Sequence, residues 1–117
     1  MNISIHIKKI VLVLIVSVMW IFVNAQTKGD TIQLADPTIF YEKGIYYLYG
    51  TGSPRGFLVY TSTDMKNWSG PAGKREGHAL IKGDSYGNGG FWAPQIYKQN
   101  GKYYMAYTAD EHIAIAE

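Results

Sequence analysis

The sequence predicts an all-β chain organised as one β-propeller blade and most of a second. Three observations predict it. The composition is rich in Tyr, with 10, and in Gly, with 13; aromatic residues favour strands, and glycine supplies turns. Asp36–Thr51 (DPTIFYEKGIYYLYGT) and Ala93–Thr108 (APQIYKQNGKYYMAYT) align without a gap, from position 36 to position 93, an offset of 57. Each copy reads as apolar strand, short turn, aromatic strand and further strand. Three or four antiparallel strands repeated about every 50 residues is the arithmetic of a propeller blade.

The elements follow in order. The first 25 residues stand apart from the fold: Lys8 and Lys9 precede Ile10–Val23, which is uncharged, and Val23-Asn24-Ala25 places small residues before Gln26. That is the three-part pattern of a cleaved signal peptide, and the apolar run is shorter than the roughly 20 residues of a spanning helix. The expectation is export to the periplasm or medium, with no stable membrane association after cleavage. Loss of Lys8 and Lys9 leaves nine basic residues against nine acidic ones. With no basic run or stripe, nothing points to a nucleic-acid partner. The absence of cysteine leaves stability to packing alone.

Residues 26–117 are expected to hold the blades. In the first copy the strands are Thr38–Tyr41, Ile45–Gly50 and Phe57–Ser62, with Ala79-Leu80-Ile81 as an outer strand. In the second they are Gln95–Lys98, Lys102–Tyr107 and His112–Glu117. Glu42-Lys43-Gly44 and Gln99-Asn100-Gly101 are the hairpin turns, Asn-Gly being a strong hairpin signal. Tyr46-Tyr47 and Tyr103-Tyr104 occur in both copies and are read as blade packing, one of each pair inward and one outward. Trp68 is read as an anchor beneath a turn. His78 and His112 form no metal-ligand spacing, and the Gly-rich run Asp84–Gly90 lacks the Lys-Ser/Thr and the helix of a phosphate loop. Two blades leave blade faces uncovered, so the chain is read as the N-terminal part of a longer propeller.

The repeat also isolates one carboxylate. An acid before proline is ordinarily a turn device. The second copy has Ala93 where the first has Asp36, so the hairpin forms without the acid. The first strand of a blade lines the propeller axis, and a residue just before it can stand at the funnel mouth. Asp36 is therefore a candidate for chemistry.

In order along the chain, ADPTIF, YYLYGT, GFLVYTSTDMKNW, GGFWAPQIY and GKYYMAYTA resemble the N-terminal part of family 43 glycoside hydrolases, over about Leu34–Glu117. The resemblance implies a five-bladed β-propeller, here represented by its first blade and most of its second. It implies a glycosidase, of α-L-arabinofuranosidase or β-xylosidase type, acting on arabinan, arabinoxylan or xylo-oligosaccharides. It implies an inverting mechanism with Asp36 as general base. It implies that Trp92 helps wall the sugar subsite, and Phe57 is a second, weaker candidate for sugar contact. The general acid and a third carboxylate belong to later blades, and no residue here matches their motifs; the fragment alone is expected to be inactive. Some family members hold a metal near the axis, but no cofactor or metal is expected from these residues. The alternative is a propeller fragment that binds glycans without cutting them. A fructan- or sucrose-acting relative would carry asparagines flanking the Asp-Pro pair, which Leu34-Ala35-Asp36-Pro37-Thr38 lacks.

Overall fold

The computed structural model describes residues 31–117; the signal-peptide reading falls on residues outside that range. Among the described residues eight strands follow one another: β1 (Ala35–Glu42), β2 (Ile45–Thr51), β3 (Gly56–Leu58), β4 (Tyr60–Ser62), β5 (His78–Ile81), β6 (Trp92–Gln99), β7 (Lys102–Ala109) and β8 (His112–Ala116). Every pairing is antiparallel, in sheets ordered β1-β2-β4, β3-β5 and β6-β7-β8. Among the described residues no helix is long and apolar enough to cross a membrane.

The two copies fold alike because their turns impose the same backbone. Glu42 pairs with Ile45 and Gln99 with Lys102, leaving two-residue turns. Both turn residues have positive φ in each: Lys43 at 49° and Gly44 at 84°, Asn100 at 51° and Gly101 at 78°. That is the pattern of a type I′ hairpin, whose twist matches that of the strands it joins.

One predicted strand differs. Phe57–Ser62 is two short strands, because its halves face different neighbours. Tyr60, Thr61 and Ser62 pair inward with Leu48, Tyr47 and Tyr46. Gly56, Phe57 and Leu58 pair outward with Ile81, Leu80 and His78. Between them Val59 gives its N–H to Gly77 and accepts from Ala72. Gly56 makes the outward pairing possible: at φ 139°, a Cβ there would lie 2.1 Å from the Leu80 carbonyl oxygen. The following turn is held by Asp64, which accepts backbone N–H bonds from Lys66 and Asn67, both at 2.8 Å. These bonds hold its carboxyl well below the usual range. Trp68 lies half-buried just beyond.

The core lies between the blades. Tyr49, Phe57, Val59 and Leu80 of the first copy meet Phe91, Met105, Tyr107, Ala109 and Ala114 of the second in one buried cluster. Burial pushes the Tyr49 phenol up to about 12. Tyr47 packs against this cluster, while Tyr46 lies on Tyr41 with ring centroids 4.6 Å apart. Tyr107 buries its ring and gives its hydroxyl to the Tyr86 carbonyl at 2.7 Å.

At the hairpin end a polar lock joins the blades: Glu42 accepts from Lys98 through one oxygen and from Tyr103 through the other. The Lys98 and Tyr103 bonds lower the Glu42 pKa below the ordinary value of 4.5. A lowered carboxylate pKa gives stability that is present above the unfolded-state value and lost as pH falls through the folded one. The melting temperature should therefore drop on acidification below about pH 4.5, and Glu42→Gln should make that drop shallower, as read by thermal melts across pH.

Candidate active site

The opposite end of the blades carries Asp36. Register places Ala35 opposite Thr51, but Thr38 opposite Tyr49, so β1 holds one extra residue there. The same bulge recurs in β6, where Trp92 faces Thr108 and Gln95 faces Ala106. Both bulges put a non-glycine residue at positive φ: Asp36 at 48° and Ala93 at 50°. Such a conformation costs an L-residue on the order of 1–3 kcal/mol and bulges re-aim side chains beside active sites. Ala93 shows that the blade adopts this backbone without a carboxyl group, so the fold does not require the one on Asp36.

Asp36 is exposed, and its Oδ2 accepts a 2.9 Å hydrogen bond from the Thr51 hydroxyl. Thr51 Oγ1 in turn accepts the Ala93 N–H at 2.9 Å. Among the described residues Asp36 has no cationic partner, and its Oδ1 has no protein donor. Most other acids are committed to structure. Glu42 binds Lys98, Glu76 binds Arg55, Asp84 binds Arg75 and Glu117 binds Lys102. Asp64 holds its turn, and Asp110 accepts the N–H groups of Asn88 and Gly89 at 2.9 and 3.0 Å. Asp36 is a carboxylate with one oxygen tethered and the other open to solvent, an arrangement suited to taking a proton from water.

Trp92 opens β6, directly before Ala93, and is 47% exposed. Its ring lies along the glycine run, 3.6 Å from where a Cβ on Gly90 would stand. The backbone thus brings an open indole to the same end as Asp36. Phe57 is a correction. It is 0% exposed, with Phe91 and Tyr107 edge-on at centroid distances of 5.9 and 5.5 Å. Its ring is core between the blades and offers no face to a sugar.

His78 is buried, with Nε2 3.1 Å from Ser53 Oγ and Nδ1 3.1 Å from the Glu76 carbonyl oxygen, which pins the loop after β2 to β5. Among the described residues no group of three or more His, Asp or Glu side chains could hold a metal. Thr51 is the site residue that sequence reasoning passed over. Its signal was its recurrence as Thr108, read there only as part of the repeat.

A partial propeller with a lone, open carboxylate at the mouth of its first strand has relatives. The sequence model of glycosyl hydrolases family 43 matches residues 31–116, and the chain belongs to that family. An extracellular exo-α-(1→5)-L-arabinofuranosidase of Cellvibrio japonicus is 32% identical over 80 residues, covering 66% of this chain and 22% of the relative. The solved structure of an endo-1,4-β-xylanase from Bacteroides thetaiotaomicron superposes with a TM-score of 0.64 at 42% identity, over 76% of this chain and 31% of that one. An endo-arabinase from the same organism superposes at 0.56 and 34%, over 68% of this chain and 27% of that one. The chain thus spans between about a fifth and a third of the length of these relatives.

Proposed function

We propose that residues 26–117 are the N-terminal part of a longer, exported glycosidase propeller, with residues 1–25 its cleaved leader, and that Asp36 is its general base. The substrates are arabinan, arabinoxylan or xylo-oligosaccharides. The observation that carries this reading is the carboxylate of Asp36, one oxygen tethered and one open, on a bulge that the internal copy builds with alanine. Relatives named for arabinan and xylan chemistry, one of them extracellular, support the substrate class and the export.

In this mechanism the open oxygen of Asp36 takes a proton from a water molecule. That water attacks the anomeric carbon from the face opposite the leaving sugar. The glycosidic C–O bond breaks, and a second, protonated carboxyl group gives its proton to the departing oxygen. An inverting pair stands about 6.5–9.5 Å apart so that the water fits between. The proton donor is assigned to a later blade of the full-length protein, so this stretch alone is inactive. Trp92 offers its exposed indole, a broad apolar face with one N–H donor, to a sugar ring.

The test is hydrolysis of the three substrates by the full-length protein, with the first product anomer read by proton NMR. Inverted product from at least one of them is expected. Retained configuration, or no hydrolysis of any, contradicts the proposal.

A further inference from the structure

The base does not stand on its own blade alone. Its orientation depends on a hydroxyl that is itself oriented by the backbone of the next blade. Thr51 closes β2 and lies opposite Ala35, one residue from Asp36. A threonine hydroxyl has one proton to give and two lone pairs to receive with. The Ala93 N–H can only donate, and it occupies one lone pair at 2.9 Å. The hydroxyl proton is thereby left for Asp36 Oδ2, also at 2.9 Å. The direction of the chain is fixed by chemistry: backbone N–H to hydroxyl, hydroxyl to carboxylate. The branched Cβ of threonine stiffens χ1, so the hydroxyl is held before any substrate arrives.

We infer that Thr51 is a positioning residue for the reaction: it holds Asp36 with one oxygen engaged and the other presented to water, and it ties that geometry to the docking of the second blade. This rests on the assignment of Asp36 as base. A misplacement of about 1 Å in a reacting group can cost on the order of 100-fold in rate. Loss of the tether therefore acts on kcat and leaves substrate binding largely alone.

The experiment compares Thr51→Val, Thr51→Ser, Asp36→Asn and the double variant Asp36→Asn/Thr51→Val in the full-length protein, with kinetics normalised to folded enzyme. Thr51→Val keeps the shape and removes the hydroxyl. It should lower kcat about 10- to 100-fold with KM within about twofold. Thr51→Ser restores the hydroxyl and should stay within about threefold of the parent, losing only the stiffness. In the Asp36→Asn background, Thr51→Val should cost nothing further, because it acts through the carboxylate. If Thr51→Val does not fold, Thr51→Cys, similar in size with a weak donor, reads the same split.

Parental kcat in Thr51→Val beside an inactive Asp36→Asn overturns the positioning role and leaves the base assignment standing. Equal losses in the valine and serine variants overturn it too, since the hydroxyl would not be what matters. Full activity in Asp36→Asn removes the base assignment and this inference with it.

Discussion

Asp36→Asn in the full-length protein is expected to lower kcat on the order of 10²–10⁴-fold, the range that a positioned general base contributes, while the melting temperature stays within about 2 °C. The amide keeps the size of the carboxylate, and its carbonyl oxygen can still accept from Thr51. Asparagine also tolerates the positive φ of 48° at this position. What it cannot do is take a proton from water. The second copy supplies a control for the fold: Ala93 occupies the matching bulge at φ 50° with no carboxyl group. Asp36→Ala should therefore fold as well and lose turnover to a similar extent. Steady-state kinetics and a thermal melt on the same samples check both halves. A large fall in melting temperature would mean that the carboxylate is structural; parental turnover would mean that another group activates the water.

Phe57→Ala is expected to destabilise the protein by about 3–5 kcal/mol, the usual cost of emptying a buried phenylalanine site. Its ring is enclosed by Phe91 and Tyr107 and lies in the cluster shared by both blades. Neither neighbour can collapse into the space without pulling β7 or the segment before β6 off the other blade. Trp92→Ala should behave in the opposite way. Its indole is half open, so stability should change by only about 0.5 kcal/mol, while KM should rise several-fold on the proposal that this indole meets the sugar. Denaturant unfolding with substrate titration separates the two aromatics. A stable Phe57→Ala with raised KM would restore that residue to the sugar subsite.

Both hairpins were legible in the sequence because local chemistry dictates them: Lys43-Gly44 and Asn100-Gly101 favour the turn, and the aromatic strands Ile45–Thr51 and Lys102–Ala109 follow it in both copies. The distinctness of Asp36 was legible because the molecule carries its own comparison at Ala93. The break at Val59 was not. Phe57–Ser62 is continuously suited to a strand, and only the positions of β2 and β5 divide it between two partners. Phe57 stayed ambiguous for a related reason, since an aromatic at a strand start suits a sugar platform and a core equally until the second blade covers it. Thr51 was hidden because its role depends on a register across blades, 42 residues away at Ala93, which no local pattern encodes.

The most direct measurement is the turnover of Asp36→Gly in the full-length protein with and without sodium azide. Glycine accepts the bulge conformation freely, so the fold is kept. Azide is already an anion and attacks the anomeric carbon without a base to deprotonate it. Without azide, hydrolysis should fall on the order of 10²–10⁴-fold, and with azide a glycosyl azide of inverted configuration should form. Hydrolysis at the parental rate without azide, or an azide product of retained configuration, would contradict it.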